Sequence, residues 1–240
     1  MNKVSLIIGG THGIGKVIAF YLRQRGDNVY TISRKSNKNS NFKIDLSLPE
    51  KKLIEILKKK IYFKIDNLIF SQRYRGIDFD EEYKIMIKSS QLIIETLKNK
   101  FKKNSSIILL SSIAVKTILA DQNASYHIIR GGIDMMAKYY STQLSKSMTR
   151  VNAIMPTKIF KPSNIKFFKT KGKDELKLIE KITPLNKMGS ARDIAYLVDF
   201  LTSEKSRFIN GLSIPLDGGL HLKSQEGIAR FSIKEGLRLR

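Results

Sequence analysis

Cysteine is absent from the 240-residue chain, which excludes a disulfide framework and any thiolate metal site. Histidine is scarce. His12, His127 and His221 are the only ones, and no two stand at zinc-ligand spacing, so no metal is expected. No apolar run is long enough to cross a bilayer, and the opening MNKVSLIIGG is too short for the core of a secretion signal. No membrane partner is therefore expected, and a cytoplasmic, reducing location is the default. Internal repeats, low-complexity linkers and Pro/Gly-rich seams are also missing, which favours a single α/β domain over two small ones. Acidic residues are few. Asp and Glu total 21 against 44 Lys and Arg, a formal net charge of +23. Such a field draws in anions and raises the possibility of a nucleic-acid partner. The lysines, however, are scattered through helix-like stretches such as KKLIEILKKK, with no aromatic-interleaved basic motif. Solvated lysines are the favoured reading, and a nucleic-acid partner is not expected.

Apolar runs alternate with helical patterns from one end of the chain to the other. VSLIIG (4–9), NVYTIS (28–33), FKID (42–45), DNLIFS (66–71), SIILLSS (106–112), RVNAIMP (150–156) and LSIPLDGG (212–219) are predicted strands. Helices are predicted over 16–26, from Pro49 to residue 60, and over 80–101, 124–147 and 191–203. Alternation of this kind specifies an α/β fold with a doubly wound parallel sheet, and uninterrupted apolar strands specify helices on both faces.

Three stretches carry chemistry. The first strand runs into GGTHGIG (9–15) and then into a helix. Gly9, Gly13 and Gly15 permit a tight turn and a close approach to a pyrophosphate, and the helix N-terminus offers free N–H groups to phosphates. At the end of strand two stand Ser33, Arg34 and Lys35 where an acidic residue would bind a ribose diol. A hydroxyl and a guanidinium fit a 2′-phosphate instead. In SYHIIRGG (125–132), Tyr126 and Arg130 share a helix face at i and i+4. A phenol needs a neighbouring cation to serve as an acid at neutral pH. On its own this pairing is also what any basic helix could show by chance.

Taken together, these segments resemble the classical short-chain dehydrogenase/reductase family from Val4 to about Leu220. The glycine turn is similar to that family's T-G-x-x-x-G-I-G, with Ile8 at its threonine, and INGLSIPLDGGL is similar to its last strand. The resemblance implies a Rossmann-type fold, with residues 1–220 as one dinucleotide-binding domain, a substrate lid at about 157–185 and a basic extension at 221–240. It also implies an NADP(H)-dependent oxidoreductase converting a carbonyl to an alcohol or the reverse, on a substrate that could be anionic, in a homodimer or homotetramer. By the same resemblance Ser112, Tyr126 and Arg130 are catalytic. Cofactor contacts fall to Gly9, Thr11, His12, Gly13, Ile14, Gly15, Ser33, Arg34, Asp45, Leu46, Tyr126, Arg130 and Pro156. The chain departs from the pattern in four places. Y-x-x-x-K is Y-x-x-x-R, so the cation cannot easily pass on a proton. N-N-A-G is replaced by Phe70-Ser71-Gln72-Arg73. The family's helical Asn falls near Ile87. Pro156 is followed by Thr157. These departures leave two alternatives open: a catalytically weakened dinucleotide-binding protein acting as a sensor or partner, and, from charge alone, a nucleic-acid-binding module.

Overall fold

The computed structural model of the protein describes residues 2–34 and 41–234. A sheet of seven strands forms the centre, in the order β3-β2-β1-β4-β5-β6-β7, and all its pairings are parallel. The strands are β1 (Val4–Ile8), β2 (Asn28–Ser33), β3 (Asn41–Lys43), β4 (Ile65–Phe70), β5 (Phe101–Leu110), β6 (Arg150–Pro156) and β7 (Ser213–Leu216). Helices α1 (Gly13–Gln24), α2 (Glu50–Lys60), α3 (Phe79–Tyr83), α4 (Ser89–Leu97), α5 (Ala124–Gln143), α6 (Ile165–Lys169), α7 (Lys173–Ile182), α8 (Ala191–Leu201) and α9 (Gln225–Lys234) complete it. This is the doubly wound, Rossmann-type architecture expected from the sequence.

Strand periodicity explains the two layers. Side chains alternate across a strand, so Leu6 and Ile8 of β1, Leu68 and Phe70 of β4, and Ile107 and Leu109 of β5 pack on one face with α2, α4 and α5. Ile7, Ile69 and Ile108 point the other way, onto Ile18 and Leu22 of α1 and Ile194 and Val198 of α8. The central residues of these strands face a helix layer on either side, which is why their apolar runs show no polar alternation.

The single helix expected over 80–101 is one continuous rod with a change of pitch. Between α3 and α4 lies a π-helical turn, Lys84–Lys88, and a 3-10 turn, Lys98–Lys100, leads into β5. In a π turn the extra residue rotates everything after it relative to α-helical periodicity. Ile87 lies in this turn, and a Cβ added at Gly132 of α5 would come within 3.0 Å of its Cδ1. The bare glycine lets the two helices close there.

The chain reverses direction across the sheet between β1 and β4. Strands β1 to β3 run outward one way, and β4 returns to the other side of β1. Loops leaving the carboxyl ends of the strands at such a reversal border a crevice. At the opposite edge a polar knot ties the layers. Arg25, beyond the end of α1, donates to Asp27 (2.7 Å) and to the Asp199 carboxylate of α8 (2.9 Å), and to Thr202 Oγ1 (2.7 Å). Asp27 also accepts from Ser5 Oγ of β1. Burial works against the Arg25 charge, but hydrogen bonding and attraction to Asp27 outweigh it and hold its pKa above the ordinary arginine value. Removing one member of such a pair strands the other charge. Arg25→Met is therefore expected to cost about 3 kcal/mol in urea unfolding, and adding Asp27→Asn should recover most of that loss.

Candidate active site

The turn after β1 is tight for reasons of space. Gly9 has φ +82°, and a Cβ there would lie 2.7 Å from the Cα of Gln72. Its N–H donates to Ile32 O of β2 (2.8 Å), and Ser71 N–H donates to Ile8 O (2.8 Å). A Cβ at Gly15 would sit 2.4 Å from Gly9 O, whereas nothing lies within 4 Å of one at Gly13, whose φ is +55°. The first two glycines are closed in by backbone, and the space beside Gly13 is open. Helix α1 begins there without a side-chain cap and with no acidic residue in its first turn. Uncapped N–H groups at the positive end of a helix suit an anion. Thr11 Oγ1 and His12 Nδ1 are 2.9 Å apart beside the turn, and Ile14 packs partly under it.

Across the crevice, the segment in place of N-N-A-G is held by its glutamine. Gln72 Nε2 donates to Ser90 Oγ of α4 (2.7 Å), while Arg73 and Arg75 point outward and are exposed. Buried polar atoms without a partner include Thr31 Oγ1, Ser71 Oγ and Gln72 Oε1, on residues beside the glycine turn, together with Arg130 Nε on α5 and Ser213 Oγ on β7. Such atoms are costly unless something else satisfies them.

Arg130 is the most unusual of them. It is 5% exposed, and its guanidinium carbon stands 4.6 Å from the centroid of the Tyr126 ring. The two residues do meet on one face of α5, and the cation lies over the ring, a stacking contact worth on the order of 1 kcal/mol. No carboxylate among the described residues pairs with it. The Tyr126 hydroxyl makes no hydrogen bond to the described residues, and the residue is half-buried. Ser112, 5% exposed, starts the short 3-10 turn Ile113–Val115, and its Oγ accepts from Ala114 N–H (3.2 Å). That turn packs against α5.

Two neighbours that the sequence did not single out do the fastening. Ser111 Oγ donates to Arg130 O (3.0 Å), tying the end of β5 to α5. His127 Nδ1 lies 2.9 Å from Asn123 O, and its Nε2 accepts from Leu119 N–H (3.0 Å). That pattern needs the neutral ring with its proton on Nδ1, and it pins the loop before α5. Asn123 Oδ1 caps α5 by accepting from Tyr126 N–H (3.0 Å). The S-S pair at the strand end was the only available signal for Ser111. None marked His127.

The remaining predicted residues lie around the same rim. Ser33 ends β2, and Arg34 follows it, exposed. Lys35, Arg238 and Arg240 lie outside the described residues. Asp45 uses its carboxylate to accept from Ser47 N–H (3.0 Å) and Oγ (2.9 Å). Leu46 is buried in the core and lines a cleft of about 290 Å³ with Leu48, Tyr83 and Lys88. Pro156 closes β6. A dinucleotide fits this rim in its donor set and in its space: the open Gly13, the uncapped helix, the unpartnered polar atoms and the absence of a carboxylate at the end of β2. Among the described residues no helix is long and apolar enough to cross a membrane, and no cluster of His, Asp or Glu is placed to hold a metal.

Known proteins share this fold over nearly the whole chain. Residues 72–221 match the family described as enoyl-(acyl carrier protein) reductase. The chain is 28% identical to 7alpha-hydroxysteroid dehydrogenase of Bacteroides fragilis, over 91% of this chain and 94% of that one. It is 27% identical to the 3-oxoacyl-(acyl-carrier-protein) reductase FabG of Thermotoga maritima, over 91% and 98% respectively. The crystal structure of a short chain dehydrogenase family protein from Francisella tularensis superposes with a TM-score of 0.77 at 27% identity, covering 93% of this chain and all of that one. The family match spans more than half of the sequence, so the chain belongs to this family, within the short-chain dehydrogenases/reductases, oxidoreductases that interconvert carbonyls and alcohols.

Proposed function

We propose that the protein is an NADP(H)-dependent reductase of a carbonyl compound, or the corresponding alcohol dehydrogenase, acting at the crevice between the loops after β1, β4, β5 and β6. The observation that carries this reading is Arg130: a buried cation stacked on Tyr126, with an unpartnered Nε and no carboxylate. A polyol such as a nicotinamide ribose supplies the acceptors that such a donor lacks. Gly9, Gly13, Gly15 and the uncapped start of α1, with Thr11, His12 and Ile14, would hold the pyrophosphate. Ser33 and Arg34 would hold the 2′-phosphate, Asp45 and Leu46 the adenine end, and Pro156 the nicotinamide end.

When bound, the nicotinamide exchanges a hydride with the carbonyl carbon. Ser112 would donate a hydrogen bond to the carbonyl oxygen, where negative charge develops, and Tyr126 would donate the proton. Arg130 would stabilise the phenolate left behind and hold the ribose. A guanidinium does not release protons at neutral pH, so Tyr126 must be reprotonated by another route. The family's helical Asn falls near Ile87, in the π turn Lys84–Lys88, which holds no Asn. These two departures favour the second reading, a dinucleotide-binding sensor with weak turnover. Residues 1–220 would act as one domain with a lid at 157–185, in the cytoplasm. The exposed Tyr83, Ile128, Met135 and Tyr139 on the long helices support assembly as a homodimer or homotetramer.

Stopped-flow oxidation of NADPH with a panel of ketones tests the reading. Tyr126→Phe should lower kcat by a hundredfold or more and leave NADPH affinity within about twofold, the pattern of a lost proton donor. NADPH binding without turnover of any ketone by the native protein would establish the sensor instead. Arg34→Ala should weaken NADPH binding by about tenfold to a hundredfold, the worth of a charged hydrogen bond to phosphate, while leaving NADH binding unchanged. Equal loss for both cofactors would remove Arg34 from the 2′-phosphate.

A further inference from the structure

We propose that Arg73, Arg75, Lys158 and Lys161 form an anion subsite at the substrate mouth, and that the carbonyl compound handled here carries a phosphoryl group. The proposal rests on the reductase reading above and names its substrate class.

Strand order brings these residues together. Arg73 and Arg75 follow β4, Lys158 and Lys161 follow β6, and β5 lies between them. The two loops therefore flank the end of β5, where Ser112 stands. The Lys161 ammonium is half-buried. Burial, followed by repulsion from Arg73, Arg75 and Lys158, lowers its pKa from the ordinary lysine value, so the other three cations all act on Lys161. Some other cations of the chain have a carboxylate: Lys84 has Glu81, Lys88 has Glu50 and Lys138 has Asp134. Among the described residues Arg73, Arg75 and Lys161 have none, and Lys158 shares Glu175 of α7. Like charges held together without a counterion raise the energy of the free protein, and a bound anion lowers it.

The loop that presents Lys161 is also built and held. Its N–H donates to Asn164 Oδ1 (2.8 Å), and Asn164 Nδ2 donates to Ile159 O (2.9 Å). Phe160 exchanges backbone hydrogen bonds with Gly189 and Ala191, and its ring packs at 5.4 Å on Phe168, which is 1% exposed. The segment 157–185 thus has an aromatic anchor under it and does not merely wave lysines in solvent. A phosphoryl dianion suits three unpaired cations better than a single carboxylate, because two guanidinium forks and an ammonium can each take a different oxygen.

The test is calorimetric titration of inorganic phosphate and of malonate, a carboxylate dianion, into protein saturated with NADP+, so that the glycine turn is occupied. A separate NADP+ titration of each variant reports on the reductase reading alone. Arg75→Gln and Lys161→Gln should each weaken phosphate binding at least fivefold, Arg73→Lys should retain most of it, and NADP+ affinity should not change. Without ligand at low ionic strength, Lys161→Gln should raise the melting temperature, since repulsion is relieved. Unchanged phosphate binding in both glutamine variants, malonate bound as tightly as phosphate, or a lower melting temperature for Lys161→Gln would each overturn the proposal. Absence of NADP+ binding by the native protein would instead strike the reductase reading, and the difference in phosphate affinity between the native protein and the glutamine variants would still report on the subsite apart from the glycine turn.

Discussion

The backbone of Gln72 sits against Gly9 with no room for a side-chain carbon between them. That contact seals the two loops at the point where strand order reverses, and the positions of the remaining site residues follow from it. It sets the start of α1 with its N–H groups facing outward, and it turns the Gln72 side chain toward Ser90 of α4. Arg73 and Arg75 are then left on the outer side of the crevice. A small side chain in the same loop would serve the close approach equally well. What this chain gains by its substitution is one exposed cation, Arg73, with Arg75 two residues beyond it.

Among the described residues, positive charge without a counterion takes two different forms at Arg130 and around Lys161. Arg130 is buried and stacked, a single fixed charge with one unsatisfied nitrogen. The group around Lys161 is partly solvated, so water weakens the repulsion within it. Elsewhere a few cations are bound to carboxylates, as Arg25 is bound between Asp27 and Asp199. A net charge of +23 is not by itself a functional signal. Where cations are left unpaired beside a crevice, it becomes one.

Much of the fold was legible because the sheet is covered on both faces. Strands β2 and β6 have the boundaries expected from their sequence runs, and their residues are largely buried. Strand β5 begins at Phe101, ahead of the apolar segment, because Lys102–Asn104 extend it at an exposed end. Helix α1 starts at Gly13, inside what reads as a glycine loop. The basic extension contains α9, packed against α7. In the site, Tyr126 and Arg130 were legible from helical spacing, but the placement of the cation over the ring was not. The π turn at Lys84–Lys88 leaves no mark on composition, and it sits where the family's pattern could no longer be followed. Ser111 and His127 act through backbone partners distant in sequence, which spacing does not reveal.

A crystal structure of the protein with NADP+ is the most direct measurement of the account. It should show the pyrophosphate over residues 9–15, Arg130 Nε donating to a ribose hydroxyl, and the Tyr126 oxygen facing open space beside the nicotinamide and Ser112. A dinucleotide bound elsewhere, or an Arg130 that swings to an acidic side chain and leaves the ribose untouched, would contradict it.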